Sequence, residues 1–214
     1  MLGESKIPVI VNAVKDTHFE IPVFIALSTG ARLGEIIGLQ WSDIDLKKGV
    51  IHIKHTMERK KDGSLRLTNT KTVKSRRAVE IGEDTINKLK QHQTRQKEWE
   101  VAAEPGKWQK EIEIVLGKKQ KNNLVCTHQD DGRPINPNAL SSRFSRIAKK
   151  LELDIGFHDL RHTHATMLLK AGVHPKIVSE RLGHANIGMT LDTYSHVLPT
   201  MQKEAAAIME NYLK

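Results

Sequence analysis

The 214-residue chain has a single cysteine, Cys126, which excludes an internal disulfide and any cysteine-based zinc cluster and suits a reducing cytoplasm. Long apolar runs are also missing. The longest, Ile21 to Leu27, is far too short to cross a bilayer, and the N-terminus lacks a charged-then-apolar signal segment. Internal repeats and low-complexity tracts are absent as well. What remains is an ordinary globular composition, 38% hydrophobic and 28% charged, long enough for one large domain or two small ones. Negative charge is in deficit: the net charge is +9, the balance of a chain that meets nucleic acid or another polyanion.

That excess has one location. Lys47 to Arg77 holds eleven Lys/Arg against two acids, Glu58 and Asp62, so the other 183 residues sum to zero. Phosphate neutralisation is local and additive, so a 31-residue segment carrying the whole imbalance points to a dedicated electrostatic contact. Its candidate DNA-contacting side chains are Lys54, Arg59, Lys60, Lys61, Arg66, Lys74, Arg76 and Arg77. Strand composition at Val50–His55, a turn signal at Asp62-Gly63, and returning strands at Ser64–Thr68 and Arg77–Ile81 predict a three-stranded antiparallel sheet. Such a ribbon is slim enough for a DNA groove.

Helical periodicity covers Ile7–Lys15, Phe19–Ser28 and Arg32–Gly38, then Asp84–Ala103, and everything after Pro137: 138–151, 158–171, 175–182, 187–194 and an amphipathic tail. Residues 1–5 read as a frayed lead-in, Gly106–Asn123 as an insertion or mobile connection, and Leu124–Thr127 as a short strand. The expected fold is α+β, mostly helical, with a small sheet.

Three motifs carry chemistry. In His158-Asp159-Leu160-Arg161-His162-Thr163-His164-Ala165-Thr166, His158 and Arg161 share a helix face. A zinc site from His158 and His162 lacks any Cys or carboxylate ligand at suitable spacing. Arg181-Leu182-Gly183-His184 is followed, ten residues after His184, by Tyr194, one of two tyrosines. Between Thr193 and Ser195, and without a clear apolar stripe, Tyr194 reads as an exposed hydroxyl on a mobile segment. In Gly30-Ala31-Arg32-Leu33-Gly34-Glu35, Arg32 stands at a helix mouth where it can meet a phosphate, with Glu35 one turn on to hold it.

Taken together, these residues resemble the tyrosine recombinase (phage integrase) family, closest in style to integrases of phages and conjugative transposons. The resemblance covers residues 5–200, and its most specific part is His158 to Tyr194. It implies the catalytic-domain fold of that family and a catalytic set of Arg32, Lys71, His158, Arg161, His184 and the nucleophile Tyr194, with Glu35 in support. Thr70-Lys71-Thr72-Val73-Lys74 offers two lysines, and Lys71 fits the family's T-K-T-x-x-S-x-R wording. The implied reaction is transesterification at a DNA phosphodiester without metal or nucleotide cofactor, for integration or excision of a mobile element. Tyr194 would attack phosphorus with His158 as general base, Arg32, Arg161 and His184 would hold the non-bridging oxygens, and Lys71 would protonate the leaving 5′-oxygen.

The resemblance further implies double-stranded attachment sites as partners, a monomer alone and a tetramer on DNA, and action at the nucleoid of a bacterial cytoplasm. On this division residues 6–198 form the catalytic domain and 199–214 a tail helix, with Met201, Ala205, Ile208, Met209 and Leu213 on one face, docking in cis or on a neighbouring protomer. The family's N-terminal core-binding domain is not in this sequence. Two other readings stay open here: a type IB topoisomerase, and a non-catalytic regulator using Val173–Tyr194 as a helix-turn-helix.

Overall fold

The computed structural model describes residues 2–70, 76–194 and 206–213. Helices α1 (Ile7–Val14), α2 (Glu20–Thr29), α3 (Leu33–Ile37), α4 (Glu83–Ala102), α5 (Pro137–Lys150), α6 (Asp159–Lys170), α7 (Pro175–Leu182) and α8 (Ile187–Thr193) are set around small antiparallel sheets, and a further helix spans 206–212. Their boundaries follow local chemistry. Pro137 and Pro175 open α5 and α7, and the Asn136 carbonyl oxygen of the side chain accepts from the Asn138 and Ala139 amides. Gly30 and Gly183, both left-handed at φ 67°, close α2 and α7.

α2 is the central helix. Its apolar residues Ile21, Val23, Ile25 and Ala26 are buried, and it packs against α1, α3, α4 and α6. The main core gathers Ile10, Ile36, Ile51, Val79, Leu89, Phe144 and Leu160. A second cluster joins Ala165, Leu169, Val178 and Leu182 to Tyr194.

A three-stranded antiparallel sheet is present, but its strands differ from the expected set, because the 64–68 segment pairs in a separate sheet. Strands β1 (Ile44–Asp45), β2 (Val50–Ile53) and β5 (Arg77–Glu80) form the three-stranded sheet, in the order β1-β2-β5, with Ile51 opposite Val79. Strands β3 (His55–Arg59) and β4 (Leu65–Asn69) form a separate hairpin with Met57 opposite Leu67. The chain changes partners at Lys54, because the hairpin closed by Lys60–Ser64 pairs β3 with β4 and leaves β2 to the later strand β5.

Residues 106–123 also differ from expectation. They carry a third small sheet, β6 (Glu111–Glu113) with β7 (Lys119–Lys121), anchored by the buried Ile112 and by a bridge from Leu67 to Ile114. Leu124–Thr127 is buried but makes isolated bridges to Gln40 and Pro134 in place of a regular strand. The lead-in is tied down: Leu2 is buried and its amide donates to Thr163 Oγ1 at 3.3 Å. Helix 206–212 exposes Ile208, Met209, Tyr212 and Leu213, whereas Met201 and Ala205 lie outside the described residues.

Candidate active site

The site forms where α2 and α3 meet α6. Gly30 permits this approach: a Cβ there would stand 2.7 Å from both His164 Cδ2 and Leu182 Cδ2. The Gly30 carbonyl accepts from Arg161 Nη1 at 2.7 Å, so the arginine of α6 is tied to the corner that carries Arg32. Arg161 is buried, and its Nη2 has no hydrogen-bond partner among the described residues. A buried guanidinium N–H left unpaired is costly in a resting protein, and an incoming anion satisfies it.

Glu35 organises the other side. Its carboxylate accepts from the Arg32 backbone amide (2.9 Å) and from Arg32 Nη1 (3.0 Å). Arg77 Nη2 donates to the same carboxylate at 2.9 Å. Burial alone would raise the Glu35 pKa, but the Arg77 and Arg32 contacts hold it below the usual carboxylate range. Among the described residues, the guanidiniums of Arg32, Arg77 and Arg161 thus converge near one buried carboxylate.

Arg77 itself is a correction. Its side chain is 6% exposed, paired with Glu35, and its Nε donates to the Arg181 carbonyl at 2.6 Å. It braces β5 against α3 and α7, where an exposed side chain was expected. Gly183 makes room for it, since a Cβ there would approach Arg77 Nη1 to 2.9 Å.

The histidines around these cations are held neutral. Burial first, then Arg161, Arg32 and Arg77, push the His184 pKa down to about 4. Its Nδ1 lies 2.8 Å from the hydroxyl of the buried Thr190. His158, exposed at the start of α6, is lowered by burial, His162 and Arg161, and His162 mainly by burial. The two rings meet edge to face at 4.8 Å. Burial and neighbouring Arg32 and Arg77 bring Arg161 down to about 9, which leaves it charged at neutral pH.

Tyr194 departs most from expectation. It is 1% exposed, at the end of α8, and its hydroxyl lies 2.9 Å from His162 Nδ1. The apolar company missing from its own segment comes from Leu169 of α6 and Val178 and Leu182 of α7. Burial raises its pKa, and Arg161 partly opposes this.

The structure therefore gathers Arg32, His158, Arg161, His184 and Tyr194, with Glu35, into one locale. Lys71 and Lys74 lie outside the described residues. His162 and Thr190 join this locale without a sequence signal for that place: spacing marks His162 only as a candidate metal ligand, and nothing local marks Thr190. Of the basic-segment side chains, Lys47, Lys48, Lys54, Arg59, Lys61 and Arg76 are exposed. Lys54 pairs with Asp43 (3.2 Å), Lys60 with Glu113 (3.0 Å) and Arg66 with Glu58 (3.5 Å).

Comparisons with known proteins bear on the fold and the family. A tyrosine recombinase XerC-like protein of Caldanaerobacter subterraneus is 30% identical over 218 residues, covering 98% of this chain and 53% of the relative. The ICEBs1 integrase of Bacillus subtilis is 31% identical over 192 residues, covering 88% of this chain and 48% of the relative. The chain thus spans about half the length of the curated relatives it matches. Among solved structures, the Tn1549 transposon integrase bound to transposon right-end DNA superposes with a TM-score of 0.75 at 23% identity, covering 96% of this chain and 65% of that one. The match to the phage integrase family runs over residues 2–201, nearly the whole sequence. The chain belongs to the phage integrase family.

Proposed function

We propose that this chain is the catalytic domain of a site-specific DNA recombinase, which cuts and rejoins DNA through a 3′-phosphotyrosyl intermediate to integrate or excise a mobile element. The observation that carries the reading is Arg161 Nη2, buried beside Arg32 and without a hydrogen-bond partner among the described residues. A phosphodiester gains negative charge on its non-bridging oxygens as it is attacked, and fixed guanidiniums stabilise that charge without reorganising. Arg32 and Arg161 hold those oxygens, and the neutral His184 adds one hydrogen bond. Tyr194 Oη attacks phosphorus, the P–O5′ bond breaks, and the phosphotyrosyl link keeps the bond energy for rejoining. Lys71, carried over from the family motif, protonates the departing 5′-oxygen.

The XerC-like relative and the DNA-bound Tn1549 integrase support DNA as the substrate. Exposed Arg59, Lys61 and Arg76 supply sequence-independent contacts to its backbone. The exposed Ile208, Met209, Tyr212 and Leu213 support docking of the tail helix on a neighbouring protomer in a synapse.

The test is covalent trapping. The protein and its Tyr194→Phe variant are incubated in EDTA with a pool of nicked suicide duplexes of randomised sequence. An SDS-resistant adduct formed only by the wild type supports the reading, and sequencing the trapped DNA identifies the site. Arg161→Lys should form the adduct on the order of 10²–10³-fold more slowly, because an ammonium cannot reproduce the guanidinium fork. DNA binding without an adduct, even with a core-binding domain restored, would favour the helix-turn-helix regulator.

A further inference from the structure

The proton on Tyr194 must leave for its oxygen to attack, and the family motif suggests His158 as its acceptor. The geometry points to a different residue: we propose that His162, not His158, takes the Tyr194 proton in the cleavage step and returns it on rejoining. This inference rests on the recombinase reading above.

Among the described residues the Tyr194 hydroxyl has one hydrogen-bond partner, His162 Nδ1 at 2.9 Å. That distance is already within the reach a general base requires. The pair is held from both sides: His162 lies on α6, fixed to α2 by the neighbouring Arg161–Gly30 bond, and the tyrosine ring is clasped by Leu169, Val178 and Leu182. His158 meets the edge of the His162 ring at 4.8 Å and makes no hydrogen bond to Tyr194, so it touches the nucleophile only through His162.

The protonation states allow the transfer. Burial holds His162 neutral and Tyr194 protonated, so one has a free lone pair and the other a proton to give. The titratable and charged groups facing His162 among the described residues are Asp159, which favours the imidazolium, Arg161, which opposes it, and the His158 ring. As Tyr194 Oη bonds to phosphorus, its proton passes to His162 Nδ1 and the P–O5′ electron pair leaves with the 5′-oxygen, which is protonated by the general acid. The resulting imidazolium lies beside the phosphotyrosyl link, placed to return the proton when the 5′-hydroxyl attacks.

A duplex recovered from the adduct pool serves as probe, in its natural form and with a 5′-bridging sulfur at the scissile phosphate. Sulfur leaves without protonation, so it bypasses a defect in the general acid but not one in the base. His162→Ala should slow adduct formation about 10²–10³-fold at pH 7 on both duplexes, with the loss shrinking as pH rises toward tyrosine ionisation. His162→Asn, which keeps a short acceptor and less disturbs packing, should share the altered pH profile. An unchanged rate and profile would overturn the inference, as would rescue by sulfur. Faster cleavage would overturn it too, showing the contact to be a restraint on the tyrosine.

A second measurement reads the protonation state in the wild type directly. In ¹⁵N-histidine-labelled wild type, His162 Nδ1 should resonate as an unprotonated acceptor and shift in Tyr194→Phe. A proton resident on Nδ1 at neutral pH would contradict the assignment. No adduct from the wild type would instead sink the recombinase reading and this inference with it. A wild-type adduct with an indifferent His162 would sink this inference alone.

Discussion

A neutral histidine can donate from one ring nitrogen only, so which nitrogen carries the proton decides what His184 offers to a phosphate. Its Nδ1 faces the Thr190 hydroxyl at 2.8 Å, and if that hydroxyl donates, the proton is held on Nε2. Thr190→Val should therefore slow adduct formation roughly tenfold, the order of one neutral hydrogen bond, while Thr190→Ser keeps most of the rate. Equal rates in both variants would show that Thr190 only packs. His164 shows the same logic applied to stability. Its Nδ1–H donates to the Leu27 carbonyl (2.7 Å) and its Nε2 accepts from Arg181 Nε (3.5 Å), so only the neutral ring satisfies both. Burial, the largest cause, pushes its pKa down to about 4 from 6.5. The unfolded chain therefore binds this proton first, and the stabilisation present above pH 6.5 is lost as pH falls toward 4. The loss amounts to ~3 kcal/mol over that window. Denaturant titrations at pH 7 and pH 5 should show the decline, and His164→Gln should make it smaller, leaving the part that His184 contributes in the same direction.

Elements here are set by close approaches that a single methyl group would block. α7 ends at Gly183 because the chain must turn through φ 67° and because Arg77 passes beneath it to reach Glu35 and the Arg181 carbonyl. Gly183→Ala adds left-handed strain and drives a Cβ against a side chain pinned at both ends. It should cost about 1–3 kcal/mol, read as a lower denaturation midpoint, and should slow adduct formation as Glu35 loses its brace. A variant of wild-type stability would show that Arg77 can leave this position freely.

Over the whole molecule the positive charge has two destinations. Arg77 is consumed inside the fold, and Lys54, Lys60 and Arg66 are partly balanced by Asp43, Glu113 and Glu58. Exposed Lys47, Arg59, Lys61 and Arg76 remain for phosphate. Binding to a random-sequence duplex, followed by anisotropy across a salt series, should give a log–log slope that falls by about 1 for each of these changed to Ala. Unaltered slopes would place the DNA on another face.

Helix positions were legible in the chain because apolar spacing and the Asn, Pro and Gly punctuation act within a few residues. The His158-x-x-Arg161 and Gly183-His184 motifs were legible for a related reason: their chemistry needs those residue types close together. Tyr194 was misjudged because its polar flanks, Thr193 and Ser195, say nothing about α6 and α7, which enclose its ring. Arg77 was misjudged because charge counted along the chain does not distinguish a cation facing solvent from one facing Glu35, 42 residues away. The sheet divided where β2 exchanged partners, a choice between two later strands that alternation leaves open. Local pattern sets which elements form and which chemistry they carry. Burial, partner and protonation state come from contacts between segments distant in sequence, and so arise only once the chain is folded.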